Sequence, residues 1–106
     1  MKTIVNCTPH NVNICDANNK VYNSFLKSDN PIRLSTVSNK IGNINGIPVN
    51  NVTFGTTDLP KRKSNVFYIV SALVKGAYPN RSDLIVPHDF VRDSDGNIIG
   101  CKSFSV

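Results

Sequence analysis

Val66-Phe67-Tyr68-Ile69-Val70 is an unbroken run of strand-forming residues, and Ser71 follows it at once, ahead of Ala72-Leu73-Val74-Lys75-Gly76-Ala77-Tyr78. A run with no polar interruption predicts a central strand buried on both faces. Ser71 is a good helix cap, and the residues after it predict a short helix that Pro79 and Asn80 end. Leu73 and Ala77, one turn apart, with Val74 beside them, supply its expected buried stripe. Leu84-Ile85-Val86 reads as the next buried strand, closed by Pro87. A β-α-β step of this kind is right-handed if its two strands are parallel.

Working outward, Phe90-Val91-Arg92 and Ile98-Ile99-Gly100-Cys101 flank Asp93-Ser94-Asp95-Gly96-Asn97, a hairpin signal in which Gly96 supplies a positive φ. Toward the N-terminus, Lys2 to Cys7 reads as a strand that Thr8-Pro9-His10 stops, since Pro9 has no amide proton. Val12 to Cys15 and Lys20 to Phe25 alternate about the turn Asp16-Ala17-Asn18-Asn19, a second hairpin. Ile32 to Val37 predicts a short strand with Arg33 opposite its apolar side. Asn39 to Gly46 suits a loose hairpin with Asn45-Gly46 at its tip, leading through Ile47-Pro48-Val49 into a strand at Val52-Thr53-Phe54-Gly55. Pro48 argues for an edge. The sum is an α+β fold: a mostly antiparallel sheet of about seven short strands with one short helix.

A chain of 106 residues is expected to form a single domain, spanning 1–106, with enough surface to bury a core without metal or disulfide support. Apolar residues at 40% and charged ones at 18% argue against a disordered chain. No apolar run reaches the ~20 residues that span a bilayer, and the opening has no signal-peptide core, so the expected setting is cytosolic. Cys7, Cys15 and Cys101 lack metal-finger spacing, which predicts reduced thiols acting as small hydrophobes and neither metal nor other cofactor. Twelve Lys and Arg stand against seven Asp, a net charge of +5 that favours anionic partners. The one dense basic cluster, Lys61-Arg62-Lys63, reads either as a solvated loop or as an attractor for an anion. A single cluster is a poor match to the basic stripe of a nucleic-acid binder.

Two places could carry chemistry. The junction at Ser71 offers amide protons and a hydroxyl, though a Ser cap is also an everyday structural device. Thr8-Pro9-His10 sets a hydroxyl and an imidazole at a fixed bend, able either to meet a ligand or to satisfy backbone groups. Asp93-Ser94-Asp95-Gly96 begins like a calcium loop, but the chain has no Glu to complete one, so it reads as a turn. Phosphate-loop, dinucleotide-binding, nucleophile-elbow and zinc-protease motifs are all missing, and the reading assigns no catalytic residue.

Thr8-Pro9-His10-Asn11-Val12-Asn13-Ile14 resembles a T-P-H-x-V-x-I opening. Tyr68-Ile69-Val70-Ser71, Arg81-Ser82-Asp83-Leu84-Ile85-Val86-Pro87, Val91-Arg92-Asp93 and Ile99-Gly100-Cys101-Lys102-Ser103-Phe104 resemble its companion blocks. Together they look like a family of small proteins of bacteriophages and bacteria; the match covers both ends, while Asn23 to Lys63 diverges. The resemblance implies a setting rather than a reaction. Small phage proteins of this kind act on the host by binding, one class by sequestering nucleotide-derived immune signals, often between subunits. A basic chain with aromatic partners suits that task, since stacking and phosphate pairing hold a nucleotide. The expectation is thus a homo-oligomeric, non-enzymatic protein that binds a small anionic nucleotide through Thr8, His10, Arg33, Phe54, Tyr68, Ser71, Arg81, Asp83 and Arg92. The alternatives are a module that offers a sheet edge near Pro48-Val49 to a host protein, and a nucleotide-cleaving enzyme that uses His10.

Overall fold

The computed structural model describes residues 1–54 and 59–106, with the side chain of Phe54 also outside the description. Eight strands and one helix succeed one another among them: β1 (Thr3–Asn6), β2 (Val12–Cys15), β3 (Val21–Phe25), β4 (Thr36–Ile44), β5 (Ile47–Phe54), β6 (Val66–Ile69), α1 (Ala72–Ala77), β7 (Leu84–Arg92) and β8 (Ile98–Ser105). The main sheet has the order β1-β6-β7-β8-β2-β3, and β4 and β5 form a separate ribbon. Three antiparallel hairpins, β2–β3, β4–β5 and β7–β8, carry most of the pairing. Shorter parallel contacts join β1 to β6, β6 to β7, and β8 to β2. The architecture is the mostly antiparallel α+β fold that the alternation and turn signals predict.

The strand at residues 66–69, expected to be central, lies inside the sheet but second from its edge, with β1 on one side and β7 on the other. Because successive side chains point to opposite faces, β6 serves two cores. Ile69 joins Val12, Ile14, Ile85 and Cys101, with Ile4, Phe25, Phe67 and Phe104 around them. Tyr68 and Val70 join Val74 and Leu84, against which Ile32, Leu34 and Tyr78 pack. The Phe25 and Phe104 rings meet at 6.3 Å between centroids, a tilted arrangement that suits their quadrupoles. The first cluster combines residues from strands far apart in the sheet order, so the sheet curls over on itself. Its two outer strands, β1 and β3, come together where the Asn6 side chain donates to the Phe25 carbonyl at 3.1 Å.

Four local expectations need correction. Ile32 to Ser35 lie outside any strand, and β4 begins only at Thr36. The Ile32 amide donates to the Cys7 carbonyl at 2.9 Å, which ties this segment to the corner after β1. Pro87 does not close its strand; β7 runs through it to Arg92. The β6 pairing ends at Ile85, so beyond it one side of β7 is free and a residue without an amide proton is tolerated. In α1 the buried residue is Val74, while Leu73 is 63% exposed and Ala77 is exposed too. So short a helix contacts the sheet through one row, Val74 and then Tyr78 one turn on. Finally, the hairpin at 39–46 is longer and more regular than expected: β4 and β5 pair from Thr36↔Phe54 to Ile44↔Ile47.

That ribbon turns at Asn45 and Gly46, both at positive φ (50° and 79°), the geometry for which Asn-Gly is selected. Its strands pack chiefly on each other. The molecule measures 50 × 39 × 24 Å, with a radius of gyration of 17.0 Å. A compact chain of this length would have about 13 Å, so the shape is extended. Among the described residues, no helix is long and apolar enough to cross a membrane.

Candidate functional site

The corner after β1 is built on Asn6, a buried side chain whose amide has all its capacity engaged. Its Oδ1 accepts from the Thr8 amide at 2.9 Å, an Asx turn, and from the Thr8 hydroxyl at 2.7 Å. Its Nδ2 donates to the carbonyls of His10 at 2.8 Å and Phe25 at 3.1 Å. Thr8 Oγ1 also lies 3.0 Å from the His10 carbonyl, so its one proton has two acceptors to choose between. The strand break at Thr8-Pro9-His10 is therefore a fixed structure. It holds the backbone in place and leaves the His10 ring exposed; among the described residues none bonds to that imidazole.

A pocket of about 680 Å³ opens beside this corner. Val12, Val70, Val86, Pro87, Phe90 and Ile99 give it apolar walls. Thr8, His10, Asn11, Asn13 and Ser71 give it a polar rim. Its volume lies within the range of small-molecule sites, about 300–1,000 Å³, and so does its mix of apolar wall and sparse polar groups. Ser71 caps α1, its Oγ accepting from the Val74 amide at 3.3 Å, which leaves the hydroxyl proton for another partner. Asn11 Oδ1 accepts from the Lys27 amide at 2.8 Å, and Asn13 is held by Ser24 at 2.8 Å and the Ile99 carbonyl at 3.2 Å. The groups left to meet a ligand are therefore the His10 imidazole, the Ser71 hydroxyl and the Asn11 amide nitrogen. Burial raises the pKa of the Cys101 thiol at the back wall, which keeps it protonated and unreactive.

The structure brings together Thr8, His10 and Ser71 but not the other expected site residues. Arg81 donates through Nε and Nη2 to the two carboxylate oxygens of Asp83, each at 2.8 Å, and from Nη2 to the Pro60 carbonyl at 2.9 Å. That hydrogen-bonded guanidinium lowers the Asp83 pKa, and the carboxylate raises that of Arg81 in return. The pair is structural: it locks the loop before β6 to the start of β7. Tyr68 is buried, and its hydroxyl donates to the Lys61 carbonyl at 3.3 Å, so its ring is not available for stacking on a ligand. Arg92 is turned back within the β7–β8 hairpin, donating to the Gly96 carbonyl at 2.8 Å. Arg33 is exposed outside the pocket, and the expected role of the Phe54 side chain lies outside the described residues. Among the described residues, no lysine, arginine or aspartate lines the pocket, and no three His, Cys or Asp side chains converge as a metal would need.

Sequence reasoning missed Asn6 and Phe90. Asn two residues before a Thr-Pro pair is an Asx-turn signal that could have identified the first. Phe90 carries no such signal. It follows Asp89, whose φ of 57° is unusual inside a strand, and that kink cannot be read from residue order.

The class these features define is a small α+β protein with a curled, mostly antiparallel sheet and a largely apolar pocket at the C-terminal end of β6. No protein family, no curated protein and no solved structure matches the chain.

Proposed function

We propose that this chain is a small binding protein that sequesters a nucleotide-derived ligand without cleaving it, the base end lying in the pocket beside Thr8 and His10. The observation that carries the reading is the pocket itself: apolar walls with Phe90 among them, and a rim whose free groups are an imidazole, a hydroxyl and a carboxamide. A planar heterocycle needs that combination, a face to lie against and a few hydrogen bonds along one edge. Phosphates on such a ligand would extend out of the pocket, toward solvent or a second subunit of a homo-oligomer. In the setting that the phage-family resemblance implies, the ligand is an immune signal of the host and the place of action is the bacterial cytoplasm. Binding without turnover is the better reading, because among the described residues no second polar side chain is hydrogen-bonded to the His10 imidazole to tune its basicity.

Native mass spectrometry with a panel of cyclic nucleotides and cyclic ADP-ribose isomers tests this reading. The expected result is an adduct of unchanged ligand mass, weakened about tenfold or more in His10→Ala and Phe90→Ala, as loss of a stacking or edge contact would do. Absence of any adduct, or a converted ligand mass, would overturn it.

A second reading has its own observation. The ribbon pairs Val37 with Thr53, Gly42 with Val49, and Ile44 with Ile47, which places Val37, Val49, Ile44 and Ile47 on one face. Ile44 and Ile47 are 63% and 66% exposed. An apolar ribbon face of this kind suits a protein-interaction module acting on a host protein. Ile47→Lys should abolish such an interaction and leave nucleotide binding intact.

A further inference from the structure

The Lys61-Arg62-Lys63 cluster lies at the opposite end of β6 from the pocket, separated by the strand from Val66 to Val70, roughly 13 Å at the usual rise. The loop that carries it is fastened to the body through its carbonyls. Pro60 accepts from Arg81 at 2.9 Å, Lys61 from the Tyr68 hydroxyl at 3.3 Å, Lys63 from the Val66 amide at 3.2 Å, and Asn65 from the Thr3 amide at 2.7 Å. With these four carbonyls turned inward and engaged, the exposed Arg62 and Lys63 side chains face outward as donors. Between it and the start of β7 lies a cleft of about 250 Å³, lined by Arg62, Lys63, Ser64, Asn65, Phe67 and Ser82 together with Asp83.

The charges in this cleft do not cancel. Asp83 is its one carboxylate among the described residues, and both of its oxygens are taken by Arg81. Arg62 donates instead to the neutral Ser82 hydroxyl at 3.0 Å; it feels Asp83 only at a distance, as a minor contribution to that carboxyl's lowered pKa, and among the described residues it closes no ion pair and nothing accepts the Ser82 proton. Among the described residues, none bonds to the side chains of Lys63, Ser64 or Asn65. A further cation, Lys2, sits 5.4 Å from the centre of the Phe67 ring at the same end of the sheet. Arginine, lysine and hydroxyl donors around a small cleft match the oxygens of a tetrahedral anion, and guanidinium–phosphate pairing is among the stronger charge-assisted contacts.

We propose that this cleft is a phosphate-binding site, which takes a compact phosphate or diphosphate group between Arg62, Lys63 and Ser82. It is separate from the nucleotide pocket and stands or falls independently of it. The phosphodiester backbone of a nucleic acid offers the same oxygens, but it would need a basic track longer than this one cluster.

Titration of the ¹⁵N-labelled protein with inorganic pyrophosphate at constant ionic strength tests the site. The expected result is saturable amide shifts confined to residues 62–67 and 82–83. The double variant Arg62→Ala/Lys63→Ala should weaken them about tenfold or more. Both side chains are exposed, so the unperturbed remainder of the spectrum verifies that the variant is folded. Shifts that fail to saturate, that spread equally to Lys27, Lys40 and Lys75, or that persist in the double variant would overturn the proposal. So would a short oligothymidylate that binds through the same residues more than tenfold tighter than pyrophosphate, since it would make the cleft part of a backbone track.

Discussion

Asn6→Asp exchanges one NH₂ group for an oxygen and should open the curl of the sheet. The wild-type Nδ2 donates to two carbonyls, His10 at 2.8 Å and Phe25 at 3.1 Å, and the second of these holds the outer strands together. In the variant an acceptor faces two acceptors at those distances, in a side chain only 8% exposed. Two lost hydrogen bonds to groups largely shielded from water, with repulsion between oxygens added, cost about 3 kcal/mol or more. For a domain of this size that lowers the melting temperature by roughly 15 °C. The loss should also depend on pH. A carboxyl set among carbonyls and away from water has a folded-state pKa raised above its unfolded value. The folded state then binds the extra proton more readily, so stability falls as pH rises through that interval. Protonated, the new side chain can donate to one of the two carbonyls. The deficit relative to wild type should therefore shrink as the buffer is taken down toward pH 4, the ordinary range of the group. Thermal unfolding followed by circular dichroism, with both proteins at several pH values, measures this. A variant that melts within a few degrees of wild type at neutral pH, or one whose deficit grows on acidification, would refute the role given to Asn6.

Asp83→Asn leaves the Arg81 guanidinium, whose side chain is 21% exposed, without its bidentate partner. Removing one member of a buried pair costs about 3–5 kcal/mol; partial exposure of the arginine brings the expectation to about 2–3 kcal/mol, read by denaturant unfolding. Because the wild-type Asp83 pKa is lowered, its contribution is complete above the ordinary carboxylate range near pH 4 and is lost as pH falls through the folded value. The variant should lack that increment of acid sensitivity. In Gly100→Ala the new methyl would lie 2.7 Å from Cys15 Sγ and 2.8 Å from the Asn13 carbonyl. The carbonyl is backbone and cannot rotate away, so β8 and β2 must separate. The expected cost is about 1–3 kcal/mol, with hydrogen exchange faster in β2 and β3 than in β6.

What the sequence revealed of the fold was whatever depends on near neighbours. The alternation in residues 12–25, the Asn45-Gly46 and Asp95-Gly96 turns, and the Ser71 cap are each decided within a few positions, and each stands in the structure. The positions it misread were those governed by distant partners. Ile32 looks like strand because its neighbours alternate, yet its amide belongs to Cys7. Leu73 looks like the core residue of α1, but the sheet meets the helix at Val74. Pro87 looks like a stop, and is one only where both sides of a strand are paired.

The candidate site shows the same limit more sharply. An arginine in a sequence looks free to bind an anion, because its partner is not visible. Arg81 and Asp83 are two residues apart in the turn that the Leu84 amide closes on the Arg81 carbonyl, where their side chains reach each other at 2.8 Å and close a bidentate pair. Arg92 finds the Gly96 carbonyl across a tight hairpin. These local pairings withdraw the two arginines best placed by sequence, whereas Arg62, inside a cluster that reads most simply as a solvated loop, hydrogen-bonds a neutral hydroxyl and closes no ion pair among the described residues. An anion responds to charge that remains uncompensated after folding. For that reason the proposed anion site rests on a basic cluster with few acidic neighbours and not on isolated arginines beside aspartates.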